Sequence, residues 1–401
     1  MPTELIQKVK DSARRLFPDI VQVRRNLHQY PELSFQEKLT GEKIQAFLKA
    51  AGISFSTGWA GYGIVASIRG KQDGPCVMLR ADMDALPITE ENDVPYKSMN
   101  EGIMHACGHD VHTSCLLGAA AILSEFKEQL RGEIKFIFQP GEEKLPGGAS
   151  LMIKEGLFID SVPDWIIAQH VHPPLPAGHV GFRSGLYMAS ADEIYIKVIG
   201  KGGHAATPHL CIDPIPIAAR VVIALQEIIS RTIDPISPGV LTIGKIYSDG
   251  GATNVIPEVV NLEGTLRAMD ESWRIATHQR IEKLVKETCA ASGATADIHL
   301  VKGYPSLINH EGVTGMCKNA AIQFLGEEKV HALPQRMTSE DFAFYSQEVP
   351  ATFYRLGTGR PEPAKNYPVH SNRFDIDEKA LETGMGLMAF IVLSNLTDAG
   401  H

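Results

Sequence analysis

The stretch MHACGHDVH, residues 104–112, sets three histidines, a cysteine and an aspartate within nine positions. Those residue types admit three chemistries. Imidazole and thiolate together suit a borderline-soft divalent ion such as zinc. A cysteine beside histidines could instead be a nucleophile with its base. A polar turn carrying a helix-capping acid would need neither. If the segment is extended, His105, Cys107 and His109 stand two apart and project to one side. Asp110 then lies near the N-cap of the following helix, and His112 falls in its first turn.

Other segments carry matching chemistry. FIFQPGEE is an apolar run that ends in two adjacent acids, Glu142 and Glu143. Adjacent side chains diverge, so such a pair can divide its labour, one acid on a metal and the other facing substrate. LRADMDALP puts Asp82 and Asp84 two apart at the end of another predicted strand. An aspartate behind a ligand histidine fixes its tautomer and raises its basicity. His170, in AQHVHPPLP, closes a third apolar run, and His370, in NYPVHSNRF, lies in a downstream loop. Each also has an ordinary reading as an Asx turn, a solvated acid pair, or a core or exposed histidine. Glu340 and Asp341 in TSEDF read as supporting or helix-capping acids.

These residues need a scaffold that gathers strand ends. The first part of the chain alternates helical patterns (TELIQKVKDSARRLFPDIVQVRRNLHQYP, EKLTGEKIQAFLKAAG, DVHTSCLLGAAAILSEFKEQL) with apolar strands (GIVASIRG, CVMLRADM, EIKFIFQP, WIIAQHVHP). That alternation predicts an α/β fold, a mixed-sheet catalytic domain covered by helices. Asp82, Asp84, Glu142, Glu143 and His170 would then share the rim where open α/β sheets place their ligands. From about residue 190 the rhythm changes to strand, helix, strand, strand, helix, strand, the ferredoxin-like β-α-β-β-α-β order of an α+β domain. We therefore expect a catalytic domain over 1–188 and 304–401, with a satellite domain inserted over 189–303.

Bulk properties narrow the partners. The chain has 401 residues, 44% hydrophobic and 21% charged, as in a soluble globular protein. A formal charge of −9 argues against nucleic acid or an anionic membrane as a partner. No run approaches the roughly 18 apolar residues of a membrane span. The opening MPTELIQKVKDSARRLF is an amphipathic helix pattern without the apolar core of a signal peptide. Six cysteines without CxxC pairs read as reduced thiols in a cytoplasmic protein.

Seven motifs in order, LRADMDALP, MHACGHDVHT, QPGEE, GKGGHAATPH, NVIPE with LEGTLR, TSEDF and HSNRFDIDEKAL, resemble the two-metal amidohydrolase and carboxypeptidase family. That family includes hippurate hydrolases, N-acyl-amino-acid amidohydrolases and auxin-conjugate hydrolases, and the match runs from about Arg24 to the last helix. The resemblance implies metal ligands at Cys107, His109, Glu143, His170 and His370, with Cys107 between two ions. It implies Glu142 as the general base and Asp84 as the acid supporting the site. Asp82 stands where more distant branches place a ligand histidine, and we do not assign it to metal. His204 matches a histidine that reaches an active site, often the partner subunit's, and Asn254 and Arg267 match residues suited to a substrate carboxylate. KLPGGA after the glutamate pair, His172, and Thr338 before SEDF depart from the common pattern.

The expected function is cleavage of the amide bond of N-acyl amino acids by metal-activated water. A metallo-dipeptidase or carboxypeptidase is the alternative, and a cysteine-nucleophile hydrolase using Cys107 a more remote one. The expected cofactors are two divalent ions, zinc or manganese, with cobalt or nickel also fitting the donors. By resemblance the satellite serves as lid and as the seat of a homodimer.

Overall fold

A computed structural model describes residues 2–397. The chain divides into two compact units. One runs as far as Gly185 and takes up the chain again over Ile308–Pro334 and from Asp341 onward. The other holds Leu186–Leu307 and Gln335–Glu340.

The first unit is built on an eight-stranded mixed sheet. Its order is Ser54–Trp59, Gly63–Arg69, Arg131–Gln139, Gln72–Asp82, Trp165–Pro176, Ala351–Gly359, Val180–Phe182, Val330–Ala332. The four strands from Arg131–Gln139 to Ala351–Gly359 run parallel. Their apolar runs are buried at the centre, which is why they read as unbroken hydrophobic stretches. Ser54–Trp59 was not anticipated; it is a mostly exposed edge strand whose SFSTGW carries no apolar run. The helices Pro2–Gln29, His109–Glu125 and Ala380–Leu396 pack on one another, and their apolar residues join the sheet in a single core.

The parallel register sets the site. Asp82 pairs with Gln139, Arg80 with Ala168, and Arg355 with His170, so the carboxyl ends of neighbouring strands stand level. A buried charge cluster fixes the helices to this end. Arg24, on the first helix, donates to Asp110 at 2.8 Å and to Asp375 at 3.0 Å, with all three side chains buried. His28 bridges the Asp110 and Glu90 carboxylates at 2.8 and 3.2 Å. A buried ion pair is retained only when its partners are in place, so breaking one costs more than the pair contributes.

The second unit carries the expected split unit. Its four-stranded antiparallel sheet has the order Gly239–Ser248, Val259–Ala268, Asp192–Ile199, Thr295–Lys302, crossed by helices Pro214–Thr232 and Glu271–Ala290. This is the ferredoxin-like arrangement with its own apolar core. Asp192, at the start of the first strand, is held by Arg274 and His278 and accepts from Gly303 N, which ties the entry of the unit to its exit. Burial works against that charge, yet the Arg274 and His278 hydrogen bonds hold the Asp192 carboxyl down at about 2.

Candidate metal centre

The segment around Cys107 is a turn rather than an extended strand. Gly108 adopts φ 82°, and the helix begins at His109. That turn brings Cys107 and His109 together and separates His105 from them. The His105 ring packs beside His28, and burial pushes its imidazole down to about 4. Asp110 likewise does not cap the helix; it lies within the first turn and serves Arg24 and His28. The condition for all three to project to one side, an extended backbone, is not met here.

Around this turn the donors converge. Cys107, His109 and His170 each offer an atom within 4.8 Å of the others, as do Cys107, Glu143 and His370, and His109, Glu142 and Glu143. Cys107 belongs to two of these groups, so one sulfur faces two potential ion positions. Cys107 Sγ lies 3.4 Å from His170 Nε2, and His370 Nε2 lies 3.2 Å from Glu143 Oε1.

Hydrogen bonds at the outer nitrogens decide what the inner ones offer. His170 Nδ1 donates to Val171 O at 2.9 Å, leaving the Nε2 lone pair toward Cys107. His109 Nδ1 donates to Asp84 Oδ1 at 3.1 Å, and its Nε2 is buried with no hydrogen-bond partner. Asp84 also accepts from Ser34 Oγ at 2.6 Å and from Glu143 N at 2.9 Å, so one carboxylate orients a histidine and the acid turn together. Glu143 Oε1 is buried too and faces His370 Nε2 at 3.2 Å. Imidazole nitrogens, a carboxylate oxygen and a sulfur converging on one space are the donor types that suit a borderline-soft cation.

Electrostatics agree. Hydrogen bonds to Cys107 and Glu143 push the His370 imidazole up to about 10, whereas burial and the Arg355 charge push His170 well down. Burial and the Glu143 charge raise the Cys107 thiol, which is the opposite of what a nucleophilic thiolate needs. His370 is held in the left-handed region at φ 66°, its N–H on Ala106 O at 2.8 Å. Such a backbone costs about 1–3 kcal/mol and persists where the surroundings over-determine it.

Asp341 proves to be a supporting and capping acid, as TSEDF suggested, but its partners and the His112–Asp82 pair were not foreseen. His112 Nε2 accepts from Val171 N at 2.9 Å, so its hydrogen is on Nδ1 and is given to Asp82 Oδ1 at 2.6 Å. Both ring nitrogens are therefore engaged. Asp82 is also bound by Arg80 at 2.6 Å, and Arg80 reaches Asp341 at 2.7 Å. Asp341 accepts from Gln139 at 2.7 Å and from Ala149 N at 3.0 Å, and its own N–H lies 3.4 Å from Glu142 Oε1. TSEDF therefore both supports the base and caps a short helix. A cavity of about 500 Å³ lined by Gln22, Arg25, Asn26, Lys43 and Tyr96 includes none of the converging donors.

The remaining expected residues lie on the second unit. His204 is exposed on a two-residue strand paired with Val255–Ile256, and Asn254 O accepts from Ala205 N at 2.9 Å, so these two are neighbours. His204 Nδ1 accepts from Ala206 N at 3.0 Å, which leaves an Nε2–H to donate. Arg267, on the strand Val259–Ala268, donates to Ser339 Oγ at 2.6 Å.

Residues 78–394 match the Peptidase family M20/M25/M40. The chain belongs to this family. An N-acetyl-L-cysteine deacetylase of Bacillus subtilis is 40% identical over 365 residues, 90% of this chain and 84% of that protein. Thermostable carboxypeptidase 1 of Saccharolobus solfataricus is 37% identical over 385 residues, 95% of this chain and 96% of the relative. Among solved structures, a Bacillus subtilis protein described as a dinuclear metal binding peptidase from the M20 family matches with TM-score 0.81 and 31% identity, over 96% of this chain and 99% of that one. As an M20 member, the chain is a metal-dependent hydrolase of amide C–N bonds, and its donor groups are those a pair of ions could use. Among the described residues no helix is long and apolar enough to cross a membrane.

Gly108 offers a test of the turn. A Cβ there would stand 2.6 Å from Val171 Cγ2, at a φ that L residues rarely adopt. Gly108→Ala should cost about 1–3 kcal/mol of stability from the backbone alone. It should also spread Cys107 from His170 and lower the retained metal, read by a thermal melt and by metal analysis after gel filtration. Full metal content would mean that the turn does not set the donors.

Proposed function

We propose that this M20 enzyme hydrolyses N-acyl amino acids. Cys107, His109, Glu143, His170 and His370 hold two divalent cations, and Glu142 is the general base. The observation that carries the reading is Cys107 shared between two donor groups beside a buried acid pair. When bound, the two cations acidify water and stabilise negative charge on the amide carbonyl. Glu142 takes the proton of the attacking water and returns it to the leaving amine. Asp84 holds His109 in the tautomer that keeps Nε2 free.

His204 would donate its Nε2–H to the carbonyl oxygen, and Asn254 and Arg267 would hold the free carboxylate of the substrate. Zinc or manganese is the proposed metal, cobalt and nickel being compatible with the same donors. A homodimer through the second unit is supported by exposed Val240, Ile246 and Tyr247 on the edge strand Gly239–Ser248. Six unpaired cysteines support a reducing, cytoplasmic setting.

Acyl specificity is supported by relatives named N-acetyl-L-cysteine deacetylase and N-acyl-L-amino acid amidohydrolase. The relative named carboxypeptidase favours peptides as a second reading. One panel separates them: N-acetyl amino acids, N-benzoyl amino acids and dipeptides, assayed after chelation and readdition of each metal. The expected result is no turnover without metal and a higher kcat/KM on acyl amino acids. Full activity of metal-free enzyme would reject the metal mechanism, and a preference for dipeptides would reject the acyl assignment.

A further inference from the structure

The segment PELSFQE, residues 31–37, contributes none of the converging donors, yet it lies against both acidic turns of the site. Glu32 anchors it: its carboxylate accepts from Leu39 N and Thr40 N at 3.1 and 2.8 Å, and its carbonyl from Ala85 N at 2.8 Å. Ser34 donates to Asp84. Phe35 adopts φ 64° and lays its ring where a Cβ on Gly141 would stand, 2.4 Å away. Glu37 is wholly buried, and its Oε1 accepts from Gly141 N at 2.8 Å.

Two buried carboxylates therefore hold the peptide N–H groups on either side of Glu142. Glu37 takes Gly141 N, and Asp84 takes Glu143 N at 2.9 Å. Gly141 O is fixed from the other side by Gly148 N at 3.1 Å. Gly141 stands at φ 63° against the Phe35 ring, so the turn has no room to shift toward that side. A carboxyl with no solvent exposure is costly to keep unless it makes a specific bond. Glu37 Oε2 is buried without a hydrogen-bond partner, so the carboxylate reaches the Glu142 turn through Oε1 alone.

We infer that Glu37 is a positioning residue for the reaction, holding Glu142 through the backbone of the Gly141 turn. The inference rests on the reading of Glu142 as general base. Glu37 belongs to none of the donor groups, and what it supplies is an acceptor at a fixed place. Burial, with Asp84 adding to it, pushes the Glu37 carboxyl up to about 7. Glutamine is therefore close to it in charge as well as in shape.

The test uses three Glu37 variants of the metal-loaded enzyme, with Glu142→Gln alone and combined with Glu37→Met as controls. Glu37→Met keeps the volume and removes the acceptor. Its kcat should fall about 100-fold, the scale of a 1 Å misplacement of a catalytic group, with KM and the two-metal content unchanged. Glu37→Gln keeps the acceptor and should restore kcat. Glu37→Asp keeps a carboxyl, withdraws the oxygen by one methylene, and should lose about tenfold in kcat; it serves if the methionine variant does not fold. In a Glu142→Gln background, Glu37→Met should cost nothing further, because the two act as one unit.

Wild-type kcat in both Glu37→Met and Glu37→Asp would overturn the inference. So would full activity in Glu37→Asp with loss in Glu37→Gln, or a loss that persists undiminished without Glu142. Unchanged turnover in Glu142→Gln alone would overturn the base assignment instead, and that single variant tells the two failures apart.

Discussion

Glu142→Gln should lower kcat by about 10²- to 10⁴-fold, the range that a positioned general base contributes, while leaving both metals bound. The amide is nearly the same size and keeps an oxygen for Asp341 N, so the fold and the neighbouring turn should survive. His109, Glu143 and Cys107 keep their own supports through Asp84 and the Gly108 turn. The decisive readout pairs metal analysis with steady-state kinetics. Two ions per chain with turnover lost is the expected pattern. Two ions with turnover intact would mean that another group moves the proton.

Removal of the shared sulfur should have an effect of similar size but of a different kind. Altering groups that merely support a ligand costs about 10- to 100-fold in metal affinity, and Cys107→Ala deletes a donor from two groups at once. The variant should purify with fewer than two ions and should lose hydrolysis as a consequence. Cys107→Asp distinguishes bridging from nucleophilic roles, since a carboxylate can bridge cations but cannot form a thioester. Measurable turnover and metal in Cys107→Asp support the bridge. Two bound ions in Cys107→Ala would remove the sulfur from the ligand set.

Much of the site was legible because its donors lie at the ends of strongly patterned elements. FIFQP and CVMLRADM are apolar runs that can only be central strands, so the acids after them had to meet at one rim. The satellite was legible for the same reason: its helices and strands alternate in hydrophobic period without interruption. What could not be read is pairing between distant polar residues. Asp82 finds His112 across 30 positions, Arg24 finds Asp375 across 351, and Arg80 finds Asp341 across 261. A sequence pattern states which face a residue occupies, not which partner stands opposite. The Cys107 segment departs for a local reason: its three donors would share one side only on extended backbone, and the left-handed Gly108 makes it a bend.

A sulfur at the centre of this cleft gives the enzyme a vulnerability that a carboxylate in its place would not have. On the proposed ligand assignment, bound cations would engage the electron pairs of Cys107, whose burial, at 7% exposure, shields it further. Once stripped of ions it faces peroxide as an uncommitted thiol, and oxidation to the sulfinic state would be irreversible for this site. Reloading after chelation should therefore succeed under a reductant and fail progressively in air, so the enzyme's tolerance of metal starvation is set by how oxidising its surroundings are.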